Sequence, residues 1–188
     1  VGDTRIRYLY RSSTNATATL DAAVDAFRAL ERRLGDYPYS TFTVVQSAGG
    51  YGMESPRLIW IPYGVGSANL RYLVAHETAH QWLPGLVGND QWADPFADEA
   101  VADMIARTTL NERRASRCEP GQLDLDITRY SAACYYEIVY IQGGNFLDGL
   151  RRQMGAAPSP RQPRPAPARL TLDPLPAAPG LVRLSGLG

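Results

Sequence analysis

The hydrophobic positions along the chain predict short strands in its first third and helices over most of the remainder. Alternating or β-branched apolar residues predict three strands, which are Arg5–Tyr10, Thr41–Ser47 and Arg57–Pro62. Apolar residues recurring near a helical period predict helices, namely Leu20–Leu34, Leu70–Leu83, Phe96–Leu110 and a long stretch from about Thr128 to Met154. The glycine-rich segment between residues 48 and 55 is predicted to be irregular.

Proline marks the end of this periodic region. Eight of the 14 prolines fall in residues 156–188, and that composition favours an extended segment over a packed one. We therefore predict one domain over residues 1–155, either whole or truncated, and a proline-rich tail or linker over residues 156–188. A hydrophobic content of 45% is ordinary for a globular domain with a sizeable core.

The charge composition argues against partners that are recognised by bulk electrostatics. Nineteen arginines balance 19 acidic residues, and the chain has no lysine. We therefore expect neither nucleic acid nor an anionic membrane as a partner. The chain has no apolar run of roughly 18 residues and opens on no signal-peptide pattern. Because a strand pattern begins at Arg5, we expect the chain to be an excised part of a larger polypeptide.

The only two histidines lie in one five-residue motif, His76-Glu77-Thr78-Ala79-His80. On a helix, residues four apart share a face, so both imidazoles can reach one metal ion. Glu77 then lies beside the metal, where its carboxylate can deprotonate a bound water. The alternative is a pair of ordinary surface histidines. The apolar residues around the motif favour burial, and buried imidazoles need partners that a metal supplies.

A third ligand is available at Glu99, which eighteen intervening residues separate from His80 and which lies inside the predicted helix Phe96–Leu110. Two histidines and one carboxylate, with a fourth position left to water, form the ligand set of a catalytic zinc site. Asp103 lies four residues after Glu99, on the same predicted helical face. We expect Asp103 to accept a hydrogen bond from a ligand histidine, and we expect Asp98 to be solvated.

The two cysteines, Cys118 and Cys134, are not needed for the metal. Their even number and spacing suit a disulfide, and the alternative is two reduced thiols. We favour the disulfide and, with it, an exported protein at the cell surface or outside the cell.

These motifs resemble the alanyl aminopeptidase (aminopeptidase N) family of gluzincin zinc metallopeptidases. The resemblance covers roughly residues 8–155, and its most specific part is the spacing from His80 to Glu99. It implies an α+β fold of the thermolysin-like kind, in which a small mixed sheet packs on the helices that carry the motif and the third ligand. It also implies one zinc ion per chain and a peptide substrate.

The family also suggests which residues contact the substrate. Tyr51-Gly52-Met53-Glu54-Ser55 resembles the exopeptidase signature Gly-x-Met-Glu-Asn, which implies that Gly52, Met53 and Glu54 contact the substrate and that Glu54 binds its amino group. Tyr140-Ile141-Gln142-Gly143 resembles the Tyr-x-Lys-Gly motif, which implies that Tyr140 hydrogen-bonds the oxyanion. Tyr135 and Tyr136 are the alternatives. The chain departs from the family at three of these positions, Tyr51, Ser55 and Gln142.

Together these features predict a zinc-dependent hydrolase that releases N-terminal residues from peptides, with Glu77 as the base. Two alternatives stay open. One is an endopeptidase of the same chemistry. The other is an inactive zinc-binding module that recognises peptides within a larger surface protein.

Overall fold

The computed structural model describes residues 4–83, 85–155 and 170–174. Five strands form its sheet: β1 (Arg5–Tyr10), β2 (Thr41–Ser47), β3 (Met53–Ser55), β4 (Leu58–Pro62) and β5 (Leu170–Pro174). The predicted strand over residues 41–47 has the observed bounds, and the other two predicted strands match β1 and β4 to within a residue. β3 was missed because three residues are too few to show an alternating pattern.

The sheet is mixed, as predicted, with the strand order β3-β4-β2-β1-β5. β1 pairs in parallel with β2 and β5, and β2 pairs in parallel with β4. β3 pairs antiparallel with β4 and lies at an edge of the sheet. Residues 170–174, inside the segment predicted to be a tail, belong to this sheet as β5. The rest of that segment lies outside the described residues.

Four α-helices accompany the sheet: α1 (Ala16–Leu34), α2 (Ser67–Ala79), α3 (Val101–Leu110) and α4 (Gly143–Met154). α1 and α2 pack against each other and against the sheet, and α3 packs on α2. Between these layers lies an apolar core whose largest fully buried members include Tyr8, Phe27, Phe42, Ile59 and Ile61. Burial of such side chains at about 1.5–3 kcal/mol each holds α2 against the sheet.

The motif helix ends earlier than its apolar pattern predicts. α2 stops at Ala79, and the chain then turns, with the amide of Gln81 donating to the carbonyl of Thr78. The sequence places Pro84 directly after Leu83, and a residue before proline is disfavoured in helical backbone. His80 therefore lies at the helix end, still one turn from His76.

The predicted helix from Thr128 to Met154 divides into pieces. A 3₁₀ turn covers Ile127–Arg129, and continuous helix begins only at Tyr136. A disulfide joins Cys118 to Cys134, as predicted, and closes the intervening loop. The helical pattern of the tyrosines therefore extended the prediction too far toward the N-terminus.

Two π-helical segments lead into the last two helices. Phe96–Ala100 runs directly into α3, and Tyr136–Gln142 runs directly into α4. The two pack together at Gly143, where an added Cβ would lie 2.7 Å from the Cβ of Ala100. Only glycine permits this approach, which brings Tyr140 beside Glu99. Among the described residues, no helix is both long and apolar enough to span a membrane.

Candidate metal centre

His76, His80 and Glu99 bring three potential ligand atoms together. The Nε2 atoms of His76 and His80 lie 3.3 Å apart, and Glu99 Oε2 lies 3.1 Å from the first and 3.4 Å from the second. In a tetrahedral zinc site with bonds of about 2.0–2.1 Å, ligand atoms are separated by about 3.3–3.4 Å. The observed triangle therefore fits zinc without rearrangement of the backbone.

The hydrogen bonds of His80 leave its Nε2 able to donate a lone pair to a metal ion. Its Nδ1 lies 2.7 Å from Asp98 Oδ1 and 3.1 Å from the carbonyl oxygen of Leu83. Both neighbours are acceptors, so Nδ1 carries the hydrogen and a neutral ring leaves Nε2 unprotonated. A carboxylate behind a ligand histidine also fixes the ring orientation and raises its basicity.

The carboxylate in this role is Asp98, which corrects two expectations from the sequence. Asp98 is buried rather than solvated. Asp103 contacts no ligand histidine and instead accepts hydrogen bonds from the Tyr72 hydroxyl at 2.5 Å and from Arg107 Nε at 2.8 Å. The wider π-helical turn at residues 96–100 breaks the assumption that residues four apart share one face.

Gln91 links the metal centre to the predicted substrate-binding loop. Its Nε2 donates to Glu54 Oε1 at 2.6 Å and also to Asp98 Oδ2. Ligating atoms of Glu54, His80 and Asp98 all lie within 4.8 Å of one another. Sequence reasoning missed Gln91, because a glutamine in a polar loop carries no pattern that singles it out.

Glu77 lies buried beside the two histidines. Burial raises the pKa of its carboxyl to about 7, against the opposing effect of His76 and His80. A bound divalent cation would lower that pKa again. The backbone of Gly52 lies directly against this carboxylate, because a Cβ added at Gly52 would lie 2.2 Å from Glu77 Oε1. Because Gly52 has no side chain, the Glu77 carboxylate has room at this position.

The ring of Tyr140 stacks on His76, with centroids 5.4 Å apart. Burial, followed by the charge of Glu99, raises the pKa of the Tyr140 hydroxyl well above its usual value. It is therefore protonated at neutral pH and can donate a hydrogen bond. Tyr135 packs edge-on against Tyr140, whereas the Tyr136 hydroxyl lies 3.3 Å from that of Tyr72, away from Glu99.

Gln142 occupies the position of lysine in the Tyr-x-Lys-Gly motif. Its side chain hydrogen-bonds to the backbone of the loop around residues 118–121. Its side-chain oxygen accepts from the amide of Gly121 at 2.9 Å, and its Nε2 donates to the carbonyls of Cys118 and Glu119. Gln142 therefore fastens the disulfide-closed loop to the helix that carries Tyr140.

One polar atom of the site has no partner among the described residues. His76 Nδ1 is buried and makes no hydrogen bond there. The ring of His76 lies between the aromatic rings of Tyr72 and Tyr140, at centroid distances of 5.8 Å and 5.4 Å. Contacts with these two rings on the ring faces and the contact of Nε2 with Glu99 Oε2 therefore hold the first histidine in place.

Solved structures with a similar fold are zinc metallopeptidases. The M1 zinc metallopeptidase from Deinococcus radiodurans aligns with a TM-score of 0.57 and 21% identity over 79% of this chain and 37% of its own. A two-domain M1 zinc metallopeptidase bound to L-tryptophan aligns with a TM-score of 0.55 and 22% identity over 69% and 32%. Another, bound to L-arginine, aligns with a TM-score of 0.56 and 21% identity over 79% and 37%.

This likeness establishes the fold. The chain has the α/β architecture of the M1 zinc metallopeptidases and spans about a third of the length of these structures. No protein-family model matches the sequence, and no curated protein matches it.

Proposed function

We propose that the chain is the catalytic part of a zinc-dependent peptidase of the alanyl aminopeptidase type, with a thermolysin-like gluzincin fold. The observation that carries the proposal is the triangle formed by His76 Nε2, His80 Nε2 and Glu99 Oε2, with sides of 3.1–3.4 Å. Glu77, on the same helix, lies beside the triangle. The fold of the M1 zinc metallopeptidases supports the same reading.

Metal-dependent peptide hydrolysis uses a Lewis acid, a base and a hydrogen-bond donor for the oxyanion. His76, His80 and Glu99 would hold a zinc ion, which would serve as the Lewis acid for the carbonyl and for the attacking water. Glu77 accepts the proton of that water and passes it to the leaving amine, and its buried carboxylate is suited to both steps. Tyr140 donates its hydroxyl hydrogen to the oxygen on which negative charge develops.

We further propose that the substrate enters with its amino terminus at Glu54. This carboxylate is held near His80 through Gln91 and Asp98, so it can pair with an ammonium group beside the metal. The M1 structures with L-tryptophan and L-arginine hold single amino acids, which is the kind of product an aminopeptidase releases. The departures at Tyr51 and Ser55 leave Glu54 itself in place.

Substrate pairs that differ only at the amino terminus test this direction. We expect a higher kcat/KM for a tripeptide with a free amino group than for its acetylated form, by about tenfold, because a charge-assisted contact is lost. Glu54→Gln should remove most of that preference and leave the zinc content unchanged. Glu119→Gln, at an exposed acid outside the site, is the matched control. Equal cleavage of both peptides by the unmodified protein would favour the endopeptidase alternative.

One feature of the structure, a cavity beside the metal centre, favours the endopeptidase alternative. A cavity of about 730 Å³ is lined by Glu54 and His80 together with Pro56, Asn89 and Trp92 among others. Such a space could receive residues on the amino side of a cleaved bond. Cleavage of an internal bond in a peptide blocked at both ends would support an endopeptidase.

We also propose that the protein acts in an oxidising compartment, at the cell surface or outside the cell. The disulfide between Cys118 and Cys134 supports this location, because reducing compartments keep such pairs as thiols. Titration of thiols in unfolded protein taken directly from its source tests it. Two reactive thiols per chain would contradict the proposed location.

A further inference from the structure

A second large cavity, which Glu54 does not line, lies beside His76 and Tyr140. Its volume is about 930 Å³, and its walls include Gly49, Gly50, Tyr72, Arg107, Arg114 and Arg117. We refer to it as the arginine cavity. Its only acidic wall residue among the described residues is Glu112.

Two of these arginines share one carboxylate. Glu137 Oε1 accepts from Arg114 Nη2 at 3.1 Å and from Arg117 Nε at 2.8 Å, whereas Arg107 is paired with Asp103. The Arg114 and Arg117 pair therefore carries one positive charge more than its partner neutralises. The Arg117 side chain is 76% exposed and that of Arg114 is 35% exposed, so both can reorient toward an anion that enters the cavity.

The arginine cavity directly adjoins the reacting centre. The ring of Tyr72, in its wall, lies 5.8 Å from that of His76, and the ring of Tyr136, also in its wall, lies 4.7 Å from that of Tyr140. An extended peptide advances by about 3.3–3.6 Å per residue. Its carboxyl end can therefore reach the cavity within about two or three residues of the cleaved bond.

The edge strand sets the direction in which such a peptide would run. Among the described residues no strand pairs with the outer side of β3, and an extended peptide can add to such an edge through backbone hydrogen bonds. Glu54 lies within β3, and Gly49 and Gly50 precede this strand along the chain. A peptide whose amino end meets Glu54 and which runs antiparallel to β3 therefore points its carboxyl end toward Gly50 and the arginine cavity.

We propose that the arginine cavity binds the terminal carboxylate of short peptide substrates and makes the protein selective for peptides of about three or four residues. This assignment rests on the proposed function, because it takes the orientation of the substrate from Glu54. Guanidinium groups suit it, since they form paired hydrogen bonds with a carboxylate.

The test compares trialanine with trialanine amide, which differ only in the carboxyl-terminal charge. For the unmodified protein we expect a kcat/KM about fivefold higher for the free acid, a modest ratio because the arginines are partly exposed. Arg117→Gln should bring this ratio close to one, because the remaining Arg114 is neutralised by its pairing with Glu137. Glu112→Gln, at an exposed position, should raise the ratio because it removes the opposing charge. Arg113→Gln is the matched control, since Arg113 pairs with Asp148 outside the cavity.

Calorimetry provides a readout that does not require turnover. With Glu77→Gln protein, trialanine should bind more tightly than its amide, and the difference should disappear when Arg117→Gln is added. If neither peptide is hydrolysed by the unmodified protein, the proposed function fails, and the binding difference still tests the cavity. Equal kcat/KM and equal binding for acid and amide would overturn the cavity assignment alone. A further substrate is the tripeptide amide with glutamate as its third residue. If this amide has the same high kcat/KM as trialanine, the cavity binds acidic side chains rather than the terminal carboxylate.

Discussion

Replacement of Asp98 by alanine should weaken zinc binding while leaving all three predicted ligands in place. Asp98 accepts the Nδ1 hydrogen of His80 at 2.7 Å, and both side chains are fully buried. Without it, the imidazole loses a charged partner that orients the ring and makes Nε2 more basic. Gln91 also loses an acceptor, which loosens its contact with Glu54.

The expected size of the effect follows from what remains around His80. Loss of such an outer partner costs about tenfold to a hundredfold in metal affinity, equivalent to about 1.4–2.7 kcal/mol. The carbonyl oxygen of Leu83, 3.1 Å from Nδ1, can still accept the hydrogen and keep the tautomer. We therefore expect a loss near tenfold for Asp98→Ala, in the lower part of that range.

The assay is competition for zinc against a chromophoric chelator, with the metal-free proteins compared by thermal unfolding to check that each is folded. Asp103→Asn discriminates between the two aspartates, because the sequence pattern favoured Asp103 and the structure favours Asp98. Asp94→Asn, at an exposed position on the same segment, is the matched control. Unchanged zinc affinity in Asp98→Ala, or a larger loss in Asp103→Asn, would show that Asp98 does not support His80 as a ligand.

Three further changes have distinct expected results. Glu77→Gln should reduce kcat by at least about a hundredfold because the general base is lost, with zinc content by elemental analysis unchanged. Gly52→Ala should lower kcat with zinc retained, since its Cβ would lie 2.2 Å from Glu77 Oε1. Gly50→Ala, where an added Cβ meets no atom within 4 Å, should have no such effect on kcat for aminoacyl anilides. Cys118→Ser with Cys134→Ser should lower the free energy of unfolding by about 3 kcal/mol, measured by urea denaturation, because a closed loop of about 15 residues is opened. An unchanged free energy of unfolding would show that the disulfide adds nothing to stability.

The parts of the fold that sequence predicted well are those where one periodic signal operates over several residues. β2 combines β-branched residues with a buried face, and its observed bounds equal the predicted ones. The five-residue motif places His76 and His80 together on any helix, so local geometry was enough. The spacing to Glu99 could be recognised only through the family resemblance and the ligand chemistry.

The missed features arise from departures from regular structure and from contacts between distant segments. Asp98 and Glu99 both reach His80 because they lie in a π-helical segment, which no apolar pattern reveals. Gln91 contacts Glu54, 37 residues away, through a loop whose path depends on the folded chain. β5 pairs with β1 from within a proline-rich segment, because strand pairing overrides local composition.

The zinc content of the purified protein shows whether His76, His80 and Glu99 form a metal site. After equilibration with zinc and removal of unbound metal, elemental analysis should give one zinc ion per chain for the unmodified protein. The same treatment should give close to none for a variant that combines His76→Ala with His80→Ala. Absence of zinc from the unmodified protein, or equal zinc in both proteins, would show that the two histidines do not hold a zinc ion.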